Sequence, residues 1–220
     1  EEYAQAHEAL VDAAPASETA LFVGMGDTFH SDNQTNRTPN SGHQLDVDGR
    51  YPKVLEAGAW LYIHAVLRLL GKHQRVVVKI LPGNHDPHPS VALGIMLKLY
   101  FHNEPRVEVD VTPPARWYWR HGVALLGFTH GDRVKQAELP MLMANERADD
   151  WAPTTCRRFY TGHLHHKRVI EHGGVVCEQF RAPVPKDAYH AAGPWMAGRS
   201  LSCINFSRAR GEIGRTEWTL

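Results

Sequence analysis

The chain predicts an α/β fold in which two β-sheets pack together with helices outside, and three observations lead there. Short apolar or β-branched runs at 19–24, 75–81 and 106–111 alternate with helical patterns in the first half. The second half is mostly strands, at 116–128, 158–161, 168–171, 175–180, 201–208 and 214–219, with glycines at several turns. With 220 residues, 43% hydrophobic and 22% charged, the chain has the length and composition of one soluble domain with a sizeable core.

Residues 1–14 place Tyr3, Ala6, Leu10 and Val11 on one helical face, and a polar break separates them from the buried strand 19–24. Residues 31–50, rich in Asn, Asp, Ser, Gly and Thr, lack an apolar period and form a long loop, which either closes over a substrate or makes a dimer contact. Val54, Leu55, Leu61, Ala65 and Leu69 mark a helix over 51–70 that stops at Gly71. The run Arg75 to Leu81 reads as a central strand ended by Pro82-Gly83. A helix over 90–101, a strand over 106–111, a hairpin turning at His121-Gly122 and a helix over 135–149 follow, the last despite Pro140. Strands 168–171 and 175–180 form a hairpin around Gly173-Gly174.

The formal net charge is zero, which argues against a protein whose main device is a basic face on nucleic acid. No apolar run is long enough to span a bilayer, and the opening residues lack the pattern of a secretory leader. Cys156, Cys177 and Cys203 are odd in number and far apart, so they read as reduced thiols in a cytoplasmic protein. Fifteen histidines are the unusual count, and their positions carry the meaning.

Four segments stand where a strand gives way to a loop: Gly26-Asp27-Thr28-Phe29-His30, Gly83-Asn84-His85-Asp86, Thr129-His130-Gly131-Asp132 and Gly162-His163-Leu164-His165. Each alone reads equally as a turn. In an extended segment His163 and His165 would share one face and reach one site. Together, carboxylate, amide oxygen and imidazoles form a donor set that binds Mn, Fe or Zn and leaves positions open for substrate. Asp27 is the carboxylate available to bridge two ions.

Taken in order, these motifs resemble the calcineurin-like metallophosphoesterase superfamily over nearly the whole chain. His30, where many members carry Asp, resembles the nuclease branch that includes SbcD-type exonuclease subunits. The run KDAYHAAGPW at 186–195 is similar to phage and prophage phosphoesterases. The resemblance implies a four-layer α/β/β/α sandwich of mixed sheets with two divalent ions, Mn foremost and Fe, Zn or Mg as the others. It implies that Asp27 bridges the ions, that Asn84, His130 and His163 complete one, and that His165 serves the other. It implies further that His85 protonates the leaving group after a hydroxide held between the ions attacks phosphorus, that Asp86 orients His85, and that His30 sits behind the ligands or near the leaving group.

The superfamily also carries an Asp-x-His on an earlier strand. The Asp-x-His here, Asp86-Pro87-His88, is in the wrong place to substitute. The expectation is therefore a single metallophosphoesterase domain, 1–220, truncated before its first strand, in the cytoplasm of a bacterial or phage-infected cell. The expected substrate is a phosphodiester, with DNA or RNA as candidates. The rivals are a phosphomonoesterase of the same fold and a non-catalytic phage scaffold with a degraded site. Arg157, Arg158, Lys167 and Arg168 either contact a polyanion or form a solvated strand end. Trp117, Tyr118 and Trp119 read as core on one face or as a base-stacking surface.

Overall fold

The computed structural model describes residues 2–39, 42, 44–45, 47, 49–112, 115–185 and 196–220. The run 186–195 noted for its resemblance lies outside them. In chain order the elements are α1 (Glu2–Ala13), β1 (Thr19–Gly24), α2 (Tyr51–Leu70), β2 (Arg75–Ile80), α3 (Pro87–Tyr100), β3 (Val107–Asp110), β4 (Trp117–His121) and β5 (Ala124–Thr129). A 3-10 turn (Gln136–Glu138), α4 (Leu139–Glu146), α5 (Ala148–Trp151), β6 (Cys156–Thr161), β7 (Arg168–His172), β8 (Val175–Gln179), β9 (Ser200–Ser207) and β10 (Gly211–Thr219) complete them.

The protein is α/β, with sheets packed face to face and helices outside. β1, β2 and β3 form a parallel sheet with β2 in the centre. A mixed five-stranded sheet runs β4-β5-β6-β8-β7, with β5, β6 and β8 parallel. Alternation along β2 explains how both its faces are buried: Val76, Val78 and Ile80 join α2 and α3 in one core cluster, while Val77 and the following Leu81 join another. That second cluster lies between the sheets and contains Trp117, Leu126, Phe128 and Tyr160. A third, with Leu125, Phe159, Leu139 and Met143, packs α4 on the outer face of the five-stranded sheet. The layer order helix, sheet, sheet, helix follows from these clusters.

The C-terminal strands depart from the two-sheet expectation. β9 and β10 pair with each other as a separate hairpin, and partly buried Ile204 and Phe206 reach the inter-sheet core. α3 begins at Pro87 rather than at 90, because proline's fixed φ suits the first helical turn, where no amide bond is lost. The helix expected over 135–149 is divided, with Pro140 in the first turn of α4. The Trp117–Trp119 stripe is core: Trp117 is buried and Trp119 packs against the inter-sheet cluster, while Tyr118 faces the third cluster.

Lys79 is a polar residue in the buried strand β2, with no exposed side-chain surface. Its ammonium is held by Asp110 Oδ1 at 3.0 Å and Thr112 Oγ1 at 3.1 Å, and Asp110 also accepts from Trp117 Nε1 at 2.8 Å. A buried charge needs such partners, and these tie β2 to β3 and β4. Among the described residues, no helix is long and apolar enough to cross a membrane, and all three cysteines are unpaired.

Candidate functional site

β1 and β2 are parallel, as are β5 and β6, so the four motif turns all leave carboxyl ends of parallel strands. Leu81 N–H donates to the Gly24 carbonyl (2.9 Å), which joins the first two ends, and Gly162 N–H donates to the His130 carbonyl (2.9 Å), which joins the last two. His130 closes the gap between sheets. Its Nδ1 lies 2.8 Å from the Met25 carbonyl, which can only accept, so Nδ1 carries a proton and donates it. Nε2 then faces Asn84 Oδ1 at 3.0 Å and Asp27 Oδ2 at 3.1 Å.

Two acceptor oxygens and an imidazole lone pair converging on one point require positive charge between them. In the metal-free protein that arrangement favours a proton on Nε2, and the same atoms suit a divalent cation. His163 joins them, its ring centroid 5.0 Å from that of His130. Ligand atoms of Asp27, His130 and His163 all lie within 4.8 Å of one another, and the donor set fits one ion.

Two glycines permit this approach. A Cβ on Gly83 would lie 2.0 Å from Asp27 Oδ1, and one on Gly26 would lie 2.5 Å from His130 Nδ1. Asp27 itself has φ +53°, a left-handed conformation that Asp tolerates better than most residues. Its Oδ1 accepts the His85 amide at 2.9 Å, which holds His85 beside the cluster. The His85 ring donates Nδ1–H to the His30 carbonyl at 3.1 Å and stacks on the His30 ring, centroids 5.7 Å apart.

Asp86 does something other than orient His85. Fully buried, it accepts the amides of Asp27 and Gly83 on Oδ1 and of Phe29 on Oδ2, each at 3.0 Å. It staples the Asp27 turn to the Asn84 turn. Phe29 extends the anchorage by seating against Gly58 of α2, where a Cβ would come within 2.4 Å of its ring, and Thr28 Oγ1 lies 2.9 Å from Tyr62 Oη.

His163 and His165 are not in an extended segment. Their φ values are +69° and +56°, so the chain bends, and the bend brings His163 to the cluster while His165 stays outside it. His88 of the Asp86-Pro87-His88 run pairs with Asp32 at 2.8 Å and takes no part in the cluster. Of the four flanking cations, Arg157 donates to the Trp151 carbonyl and lies over that ring, Arg158 pairs with Glu212, and Lys167 pairs with Glu217. That leaves the exposed Arg168 facing solvent. The roles of the Met25 carbonyl, Thr28 and Tyr62 were not foreseen; a backbone acceptor leaves no mark on sequence.

No family model matches this chain, and no curated protein does. Among solved structures, a single mutant of Vps29 from Entamoeba histolytica is 14% identical, with 92% of this chain and 98% of that one covered at a TM-score of 0.38. Vacuolar protein sorting 29 from Cryptosporidium parvum is 13% identical, covering 92% and 97% at 0.34. A conserved uncharacterized protein of Streptococcus pneumoniae TIGR4, described as a predicted phosphoesterase, is 13% identical, covering 91% and 97% at 0.33.

The site's electrostatics follow from burial opposed by pairing. Burial alone would raise the pKa of Asp27, but the hydrogen bond and charge of His130, with the His85 amide, hold it below the usual carboxylate value. Burial would lower that of His130, yet the Asp27 carboxylate outweighs it and the pKa rises. For His163, burial and then the neighbouring His130 charge depress it. Asp86 is raised because burial outweighs its amide bonds.

The Asp27–His130 pair sets a pH expectation for the metal-free protein. The depressed Asp27 contributes stability that is present above its unfolded pKa of ~3.9 and is lost as pH falls through the folded value. The raised His130 contributes stability that is present below its unfolded pKa of ~6.5 and is lost as pH rises through the folded value. A cation held by these residues would replace the His130 proton, so its binding would strengthen as that proton leaves. The gap in thermal midpoint between manganese-loaded and chelator-treated protein should widen from about pH 6 to about pH 8. A gap constant over that range would mean that His130 is not a ligand.

Proposed function

We propose that the protein is a metal-dependent hydrolase of phosphoric esters of the calcineurin-like metallophosphoesterase kind, acting on a phosphodiester. The observation that carries this reading is the convergence of Asp27, Asn84, His130 and His163, from turns of both sheets, beside the His85 ring. Asp27, Asn84, His130 and His163 would hold one ion. In the two-ion reading, with Mn foremost, Asp27 would be shared by the two ions and His165 would help to hold the second. When bound, such ions polarise a phosphate and lower the pKa of water at the site.

The remaining work belongs to the chain's own groups. The His85 amide bond to Asp27 fixes the ring beside the ligands. With Nδ1–H engaged by the His30 carbonyl, Nε2 is the atom that holds a proton for the departing alkoxide. His30, stacked on His85, keeps that ring from rotating away and lines the leaving-group side. Asp86 keeps the two turns in register. Because Arg157, Arg158 and Lys167 have internal partners, the substrate is a small diester or a short stretch of nucleic acid rather than a long polyanion.

The test is manganese-dependent hydrolysis of a chromogenic phosphodiester and of its monoester. Diester cleavage that stops on chelation supports the proposal. Monoester-only activity makes the protein a phosphatase. No turnover together with no bound metal makes it a non-catalytic scaffold.

A further inference from the structure

We propose, on the basis of that phosphodiesterase activity, that His88, held by Asp32, receives the leaving-group side of the substrate. There it selects an alcohol that carries a further hydroxyl, as glycerol and the sugar of a nucleoside do.

Residues 30–32 and 85–88 lie side by side. His85 Nδ1 is 3.1 Å from the His30 carbonyl, and the two rings stack. Two residues beyond His30 and three beyond His85, the same segments are joined again by Asp32 and His88. Burial falls along the second of them: Asp86 is fully buried, His85 half-buried and His88 exposed. His88 is therefore the outward neighbour of the proposed proton donor, on the side that His30 lines.

The bonds of Asp32 exceed what the fold needs. The carboxylate of Asp86, the residue before α3, accepts the amides of Asp27, Gly83 and Phe29 and makes no side-chain cap bond to the helix. Asp32 caps α3 in its place, with Oδ1 accepting the His88 amide at 3.0 Å. Any orientation of the His88 ring would leave that bond intact. Yet Oδ2 also takes the ring, 2.8 Å from Nδ1. The His88 side chain is 86% exposed and that of Asp32 only 12%, so a carboxylate seated in the fold fixes a ring at the surface. The Asp32 carbonyl accepts from Tyr51 Oη at 2.8 Å, which anchors it to the start of α2. An ion pair with so exposed a member adds little to stability. What it does set is the tautomer. An ionised carboxylate only accepts, so Nδ1 carries the proton, and Nε2 of the neutral ring is left with a lone pair.

That lone pair decides the ligand. Nε2 can accept from a hydroxyl, whereas a second phosphate brings only acceptor oxygens and a charge like that of Asp32 behind the ring.

The test uses pairs of methyl phosphodiesters that differ only in the second alcohol, whose release is measured in manganese. Glycerol against propanol reads a polyol; uridine, joined through its 5′ oxygen, against dideoxyuridine reads a sugar. In at least one pair the unaltered protein should release the hydroxylated alcohol with kcat/KM ~3–10-fold higher, the worth of one neutral hydrogen bond. The pair that shows it names the source. His88→Ala should remove the preference through loss on the hydroxylated ester, with bound manganese and the far-UV spectrum unchanged. Asp32→Ala frees the ring and should lose most of the preference, while His88→Gln, whose amide oxygen reaches about where Nε2 stood, should restore part of it. Equal rates within both pairs, or a preference that survives His88→Ala, overturns the proposal and leaves the phosphodiesterase activity standing. No release from any ester overturns that activity and this proposal with it.

Discussion

Asp27→Asn should lower manganese affinity by ~10²-fold or more, and Asp27→Ala should bring bound metal to background. Loss of groups that merely support a ligand already costs 10–100-fold, so removing charge from the ligand itself should cost at least as much. Asparagine is the sharper probe, because Asp27 has φ +53°, where Asn is tolerated and Ala adds ~1–2 kcal/mol of backbone strain. The amide keeps an acceptor for the His85 N–H and leaves the Asp27 backbone bond to Asp86 in place, so the turn should survive. What disappears is the charge facing His130 Nε2. Calorimetric titration with manganese, read beside elemental analysis, measures this directly. An Asn variant that binds with unchanged affinity and stoichiometry would remove Asp27 from the metal centre and with it the central premise of the proposed chemistry.

The elements legible in the sequence were those whose signal is local. The bounds of β1 and α2 coincide with the expected 19–24 and 51–70, since an apolar run between turns and a helical period stopped by Gly71 specify them without distant partners. α3 starts three residues before the expected 90, with Pro87 and Pro89 in its first turn, where proline's missing amide costs no helical hydrogen bond. The separate β9–β10 hairpin depends on which strands find each other across the chain, and periodicity within a strand does not record that. The same division runs through the candidate site. Asp27, Asn84, His130 and His163 were visible because strand-end motifs combine glycine with donor side chains, and the structure brings these four together. The resemblance implied that Asp86 orients His85; its carboxylate accepts three backbone amides, two of them in a turn nearly sixty residues away. Backbone groups are present at every residue, so no sequence pattern announces them as targets.

His85→Ala should leave metal binding intact and lower turnover of a diester with a poor leaving group by ~10²–10⁴-fold, the usual range for loss of a general acid. Its ring is not in the ligand cluster, and its link to Asp27 runs through the backbone amide, which alanine retains. Metal content and manganese affinity should therefore match the parent protein. The size of the loss should depend on the leaving group: a nitrophenolate departs without a proton, so its ester should be much less affected than an alkyl ester. That contrast separates proton donation from a packing effect of losing the ring that stacks on His30, because a disturbed site would slow both substrates alike. Equal losses on the two esters would reassign His85 to positioning, and an unchanged rate on the alkyl ester would leave the proposed mechanism without its proton donor.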